Sequence, residues 1–174
     1  MNEYKKAIHE GMLNFAKLPN SIFLGQQVGV TNFYSTLDGI PDEKRIELPV
    51  AEELQLGMSI GLAMQGYLPI SIYQRMDFLP RACDQLVNHL DIMKEMSRGQ
   101  FNPKVIIRTT IGSLDPLDTG LQHSKDLTEG FRALLKNIKV ARLETAEQAK
   151  FVYWEALNDN DSHLIIEVQD LYNE

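Results

Sequence analysis

The stretch that decides the fold is KVARLETAEQAKFVYWEALNDNDSHLIIEV, residues 139–168. It begins with the short run Lys139–Leu143 and ends with the apolar run His163–Val168, and both predict buried strands. Between them, Thr145 and Gln148 stand three residues apart, which is the spacing of a capping box at a helix start. Apolar residues then recur at helical spacing. A strand, a helix and a second strand in this order predict a parallel βαβ unit.

The same alternation of strands and helices runs through the rest of the sequence. It predicts an α/β fold with a three-layer, doubly wound, mostly parallel sheet and helices on both faces. Ligands bind such folds at the carboxyl ends of the strands. The further predicted strands are Ser21–Gly25, Ile46–Leu48, Leu68–Tyr73 and Val105–Thr109, and the further predicted helices lie around Tyr4–Phe15, after Pro49, at Leu79–Met93 and around Phe131–Leu135.

Composition limits the class of protein. A chain of 174 residues predicts a single domain over residues 1–174. Seventeen basic against 24 acidic residues give a net charge of −7, which argues against nucleic acid or a membrane surface as partner. Cys83 is the only cysteine, so no disulfide framework can form within the chain. Charged residues near the N-terminus interrupt any signal-peptide core, and we expect a cytoplasmic protein.

Common signatures of nucleotide, zinc and hydrolase sites are missing from the sequence. It contains no G-x-x-x-x-G-K-[ST], no G-x-G-x-x-G, no C-x-x-C, no H-E-x-x-H and no G-x-S-x-G. A cofactor that carries phosphate would therefore find no recognisable cradle in this chain.

Three polar features follow predicted strands. Glu52 stands at a helix start, where it is either a capping charge or a functional carboxylate. Phe78, shortly after Tyr73, is either a core residue or an aromatic platform for a planar ligand. His123, in Gln122-His123-Ser124, is either a loop anchor or a proton-transfer group. The residues themselves leave these alternatives open.

Taken in order, these features resemble the pyrimidine-binding domain of thiamine-diphosphate enzymes. They resemble in particular the beta subunit of the first component of 2-oxo acid dehydrogenase complexes, which is transketolase-like. The resemblance extends over nearly the whole chain. The stretches that carry it are Ile22–Gly25 with Val28-Gly29, Leu48–Glu52, Gly57 with Gly61, Gly66–Ile70, Asp77-Phe78, Ala82–Asn88, Gln122–Ser124 and Leu171-Tyr172.

The resemblance implies a role for each site residue. Glu52 would hydrogen-bond N1′ of the cofactor's aminopyrimidine ring and, by protonating it, favour the imino tautomer that activates the thiazolium ring. Phe78 would stack on the pyrimidine ring, and Gln74 would lie beside it. His123 would lie near the substrate and relay protons. Some family members hold a potassium ion through backbone carbonyls, and the matching positions here are Val105, Ala156, Leu157, Asp159 and Asp161.

Two departures from the family pattern concern the rest of the active site. The sequence has no G-D-G…N segment for the diphosphate and its magnesium ion, which in that family belongs to a separate alpha-type subunit. The C-terminal domain of the family is also missing from this sequence. The resemblance therefore implies half of a thiamine-diphosphate site, inactive alone, in a homo- or hetero-oligomer that acts on a 2-oxo acid or a ketose.

Three hypotheses remain at this stage. The first is a subunit of a 2-oxo acid dehydrogenase or of a related two-carbon transferase, which the Gln-His-Ser motif favours. The second is the pyrimidine subunit of a split decarboxylase. The third is a non-catalytic assembly or regulatory protein that keeps the fold, because a fold can outlast its activity.

Overall fold

All strands of the sheet run in the same direction. The structure is a computed structural model that describes residues 1–114, 118 and 120–173. Within that part of the chain, six strands form one parallel sheet in the order β2-β1-β3-β4-β6-β5. The strands are β1 (Ser21–Gly25), β2 (Arg45–Glu47), β3 (Leu68–Tyr73), β4 (Ile106–Ile111), β5 (Lys139–Leu143) and β6 (His163–Val168).

Helices cover both faces of this sheet, so the predicted doubly wound fold is confirmed. The α-helices are α1 (Glu3–Ala16), α2 (Asn32–Ser35, a single turn with positive φ), α3 (Glu52–Met64), α4 (Met93–Met96), α5 (Thr128–Leu134) and α6 (Ala146–Asn158). The 3-10 helices are Asp42–Lys44, Met76–Ala82 and Gln169–Tyr172, and Asp84–Leu90 is a π-helix.

One predicted element has a different form. The sequence predicts one helix over Leu79–Met93, whereas the structure has a 3-10 helix, a π-helix and the short α4 in succession. Pro80 lies inside the first of these and has no N–H to donate, so a regular α-helical ladder cannot run through it. The apolar stripe is kept nonetheless, because Leu79, Leu86 and Leu90 are all buried.

The strand order brings the carboxyl ends of β1, β2, β3 and β4 to one edge of the sheet. From β1 the chain first moves outward to β2 and then returns to β3 on the other side of β1. Gly25 ends β1 with a φ of +147°, and a Cβ at this position would lie 2.1 Å from the carbonyl oxygen of Ile72. Only glycine therefore allows β1 and β3 to lie this close where the loops of the site begin.

A buried ion pair crosses the sheet between β4 and β6. Arg108 and Glu167 are fully buried, with Nε 2.5 Å from Oε1 and Nη2 2.9 Å from Oε2. The hydroxyl groups of Tyr153 and Tyr172 donate to the same carboxylate. The guanidinium group also lies 4.7 Å from the centre of the Phe33 ring. The network joins two strands, α6 and the C-terminal 3-10 helix in one polar cluster.

Candidate functional site

Glu52 is a buried carboxylate at the start of α3. It is the first residue of the helix, and its side chain is 2% exposed. Ala51 occupies the N-cap position, and no side chain makes a capping hydrogen bond there. The hydroxyl group of Tyr73 donates to the backbone oxygen of Glu52 over 3.3 Å, which ties this helix start to the end of β3. Burial also raises the pKa of Tyr73, so it remains a neutral donor.

The outer oxygen of this carboxylate faces an arginine. Oε2 of Glu52 lies 3.3 Å from Nε of Arg81, whose side chain is 75% exposed. The contact is an ion pair without hydrogen-bond geometry, and Oε2 has no hydrogen-bond partner among the described residues. A buried acceptor without a donor is costly in a folded protein. Oε2 is therefore ready to accept a hydrogen bond from a ligand.

Glu52 opens onto a cleft of about 530 Å³. Its lining combines apolar residues with the charged Glu53 and Arg81, and two apolar side chains on its rim are exposed: Val50 at 76% and Leu54 at 60%. Further along the wall, a Cβ added to Gly57 would meet only Gln85, at 3.9 Å, and one added to Gly61 would meet nothing within 4 Å. Within the described part of the chain, no other backbone packs closely against either glycine.

Gln55 holds α3 against β3 beneath the cleft. Its side-chain amide donates to Ser71 Oγ over 3.1 Å and to the carbonyl oxygen of Ile72 over 3.0 Å, and all three groups are buried. The sequence analysis missed this residue. The available signal was its spacing, because Gln55 lies one helical turn after Glu52 and therefore points to a similar side of α3.

The loop after β3 holds the segment that carries His123. Arg75 donates from Nη1 to the carbonyl oxygens of Gly112 and His123, the latter over 3.1 Å. The backbone N–H of Lys125 donates to Asp77 over 3.3 Å. The Phe78 and His123 rings meet edge to face, with 5.7 Å between their centres. Two site residues predicted from separate parts of the sequence are thus in contact.

The 3-10 helix Met76–Ala82 connects the two halves of the site. It carries Phe78, which contacts His123, and Arg81, which contacts Glu52. Gln74 lies just before it, half-buried, and its backbone oxygen accepts a hydrogen bond from the Thr110 hydroxyl over 2.6 Å. In the segment before Gln122, residues 115–117 and 119 lie outside the described part of the chain.

The predicted potassium positions lie around the turn between α6 and β6. The Lys104 ammonium donates to the Asp159 carbonyl oxygen over 2.5 Å, and the Lys139 ammonium donates to the Asp159 carboxylate over 2.8 Å. His163 Nε2 lies 2.8 Å from the same carboxylate. Although burial opposes ionisation, the hydrogen bonds from Lys139 and His163 lower the pKa of Asp159 to about 2.

Across residues 1–114, 118 and 120–173, no group of three or more His, Cys, Asp and Glu side chains could hold a metal ion. In the same ranges, no helix has both the length and the apolar character that crossing a membrane requires.

Comparison with known proteins places this chain in a family. The family model "Transketolase, pyrimidine binding domain" matches residues 3–174. The beta subunit of the pyruvate dehydrogenase E1 component from Gracilaria tenuistipitata var. liui is 32% identical over 132 residues, which is 76% of this chain and 40% of that protein. The chloroplastic beta-3 subunit from Arabidopsis thaliana is 28% identical over 174 residues, 97% of this chain and 42% of its own length.

Two solved structures share the fold. The transketolase from Campylobacter jejuni has a TM-score of 0.75 and 18% identity, over 94% of this chain and 25% of that one. A structure titled "Split gene transketolase, inactive beta4 tetramer" has a TM-score of 0.68 and 17% identity, over 95% of this chain and 51% of that one. The chain spans about two fifths of the length of its curated relatives. The chain belongs to the transketolase pyrimidine-binding domain family.

Proposed function

We propose that this chain supplies the pyrimidine half of a thiamine-diphosphate active site. The observation that carries the proposal is the buried Glu52 carboxylate, whose Oε2 has no hydrogen-bond donor and opens onto a cleft. A ring nitrogen that carries a proton would satisfy that oxygen. The cleft of about 530 Å³ has room for an aminopyrimidine ring. The residues present therefore fit the aminopyrimidine end of the cofactor.

Gln74, Phe78 and His123 do not line this cleft, but Phe78 shares its 3-10 helix with Arg81, which does, and we propose that all three approach the same ligand. Phe78 is half-buried at the edge of the sheet where the strands end, so its ring face could take a pyrimidine by stacking. Gln74 would lie beside that ring. His123 touches Phe78 at the end of the segment anchored by Arg75, and its imidazole would hold or move a proton next to the substrate. Thiamine diphosphate, when bound, would supply the carbon nucleophile that attacks the substrate's carbonyl group.

The rest of the site would come from another chain. No cluster in the described ranges suits a metal ion, so magnesium and the diphosphate would be held by an alpha-type partner. The sequence carries no G-D-G segment for that task. One structural neighbour is titled as an inactive tetramer of beta chains from a split gene, which supports inactivity of such a half-site on its own. The partner would make the protein a heteromer.

The reaction would be oxidative decarboxylation of a 2-oxo acid or a related two-carbon transfer from a ketose. Relatives named as pyruvate dehydrogenase E1 beta subunits support the first, and the transketolase neighbours support the second. A cytoplasmic location stays a prediction, since the name of one relative places it in the chloroplast.

Calorimetry with thiamine diphosphate and magnesium tests the split site. We expect no binding to the chain alone, and binding to its mixture with a diphosphate-domain partner. Glu52→Gln in that mixture should lower the rate of 2-oxo acid decarboxylation by about 10²–10⁴-fold, because the carboxyl group can no longer exchange a proton with the ring. The matched control is Glu147→Gln, an exposed glutamate in the first turn of α6, which should leave the rate unchanged. Equal losses in both variants would contradict the role of Glu52.

A second function has one observation in its favour. The positive charge of Arg81 lies 3.3 Å from Glu52. The Glu52 carboxylate therefore already has an ion-pair partner within the chain. A non-catalytic assembly protein would keep such a contact and never exchange it for a ligand. Arg81→Gln separates the two cases in the same calorimetric mixture. A catalytic half-site should bind thiamine diphosphate more tightly without this competing charge, whereas an assembly protein should bind none with either residue.

A further inference from the structure

The turn between α6 and β6 gathers acidic oxygens at the amino-terminal end of the sheet. Glu155, Asp159 and Asp161 lie on one stretch of seven residues, and all three carboxylates lie within 3.4 Å of the Lys139 ammonium group. This end of the sheet is opposite the edge that carries Glu52, because all strands are parallel and the site follows their carboxyl ends. The cluster is therefore separate from the proposed active site.

Lysine side chains supply the positive charge in this cluster. The Lys139 ammonium lies 2.8 Å from Asp159 Oδ2, 2.9 Å from Glu155 Oε1 and 3.4 Å from Asp161 Oδ2. The Lys104 ammonium approaches from the segment before β4. It donates to the Asp159 carbonyl oxygen over 2.5 Å and lies 3.6 Å from Asp159 Oδ1. The Asp159 carbonyl and both of its carboxylate oxygens thus face ammonium groups.

Two of the carbonyl oxygens that the family resemblance assigns to potassium, those of Val105 and Asp159, already accept hydrogen bonds within the protein. The Val105 carbonyl accepts the N–H of His163 over 3.2 Å as part of the sheet. The Asp159 carbonyl accepts from Lys104, whose side chain is 18% exposed. A potassium ion at this carbonyl would have to displace the ammonium group or share the oxygen with a like charge a few ångströms away. With Lys104 in this position, the Asp159 carbonyl does not fit the ion.

An ammonium group and a potassium ion can do the same structural work here. Each brings one positive charge, and each can bind several oxygen atoms at once, the ammonium through its three N–H donors. We propose that Lys104 takes the place of a monovalent cation, so that the α6–β6 turn is held by the chain's own ammonium group and is independent of potassium. This inference does not rest on the proposed function.

Thermal unfolding in different salts tests the proposal on the intact chain. At equal ionic strength, the wild-type protein should have the same Tm in potassium chloride and in choline chloride, because choline is too large for the turn. Lys104→Met removes the ammonium and keeps most of the aliphatic side chain. Its Tm should fall in choline chloride and recover by about 2–4 °C in potassium chloride, as the ion enters the vacated position.

Lys136→Met is the matched control, since Lys136 is exposed and its side chain has no contact with this turn among the described residues. It should show no difference between the two salts. Two results would overturn the proposal. One is a higher Tm of the wild type in potassium chloride than in choline chloride. The other is a decrease in the Tm of Lys104→Met that potassium chloride does not restore. If Lys104→Met does not fold, calorimetric titration of the wild type with potassium chloride decides, because saturable binding would also overturn it and its absence would support it.

Discussion

The side chain of Glu167 joins three buried partners. It pairs with Arg108 and accepts from the hydroxyl groups of Tyr153 and Tyr172 in an interior without water access. Glu167→Gln would leave the Arg108 guanidinium without a counter-charge. We expect the free energy of unfolding to fall by about 3–5 kcal/mol, measured by urea denaturation. Glu129→Gln breaks the exposed ion pair with Arg132 and should lower the free energy of unfolding by no more than about 1 kcal/mol. Similar losses in both variants would contradict the importance of burial.

Buried charged residues such as Glu167 cannot be assigned a partner from the sequence alone. Glu52, Phe78 and His123 could be singled out because each follows a predicted strand, and ligands meet parallel sheets there. Arg108 and Glu167 stand inside strands that read as apolar, and nothing in the local pattern says that two charges 59 residues apart will meet. Arg75 and Gln55 were missed for the same reason, since their roles depend on partners from other elements.

The charged side chain of Asp126 lies two residues before Thr128, the first residue of α5. Asp126 Oδ1 accepts from the N–H of Thr128 over 3.0 Å and from its hydroxyl group over 2.5 Å. Partial burial of Asp126 opposes ionisation, but these two hydrogen bonds and the positive charge of Arg142 lower its pKa. A lowered carboxyl pKa stabilises the fold at pH values above the ordinary carboxyl pKa of about 4. This stabilisation is lost as the pH falls below that value.

The corresponding variant is Asp126→Asn. Because the Asp126 side chain is 41% exposed, solvent screening keeps the expected loss below about 1 kcal/mol near pH 7. The Tm difference from wild type should shrink on acidification from pH 7 to about pH 3, because the stabilisation declines as the pH falls below the ordinary carboxyl pKa of about 4 toward the lowered pKa of Asp126. A difference that stays constant between these two pH values would show that the carboxylate charge does not contribute.

Most strands and helices were predictable from the sequence, unlike the contacts between residues of different elements. Strands β1, β3, β5 and β6 have the predicted bounds, and the capping box is present, with Thr145 accepting from the N–H of Gln148 over 3.2 Å. Buried strands and helix starts are determined by residues close together in the sequence, so local patterns are enough to predict them. The 3-10 and π-helical turns of residues 76–90 were not predictable in this way. Their geometry follows from Pro80 and from packing rather than from the period of the apolar residues.

For the molecule as a whole, the apolar rim around Glu52 is expected to be an interface. Val50 and Leu54 are exposed beside a buried carboxylate, which is unusual unless another chain covers them. Leu54→Glu should weaken association with a diphosphate-domain partner by at least about tenfold in analytical ultracentrifugation. Phe151→Glu is the control, because Phe151 is equally exposed, at 61% against 60% for Leu54, but lies on α6. Equal weakening by both variants would argue for nonspecific contacts.

The distance along the chain between Arg108 and Glu167 sets an order of events during synthesis. Strand β4 leaves the ribosome with a charge that has no acceptor, and its partner follows 59 residues later. Until β6 emerges, closing the sheet over β4 would trap an unpaired guanidinium in the interior. A nascent chain that ends before Glu167 should therefore remain open on this side. The sheet would then close late and cooperatively, when β6 and the tyrosine that follows it arrive together.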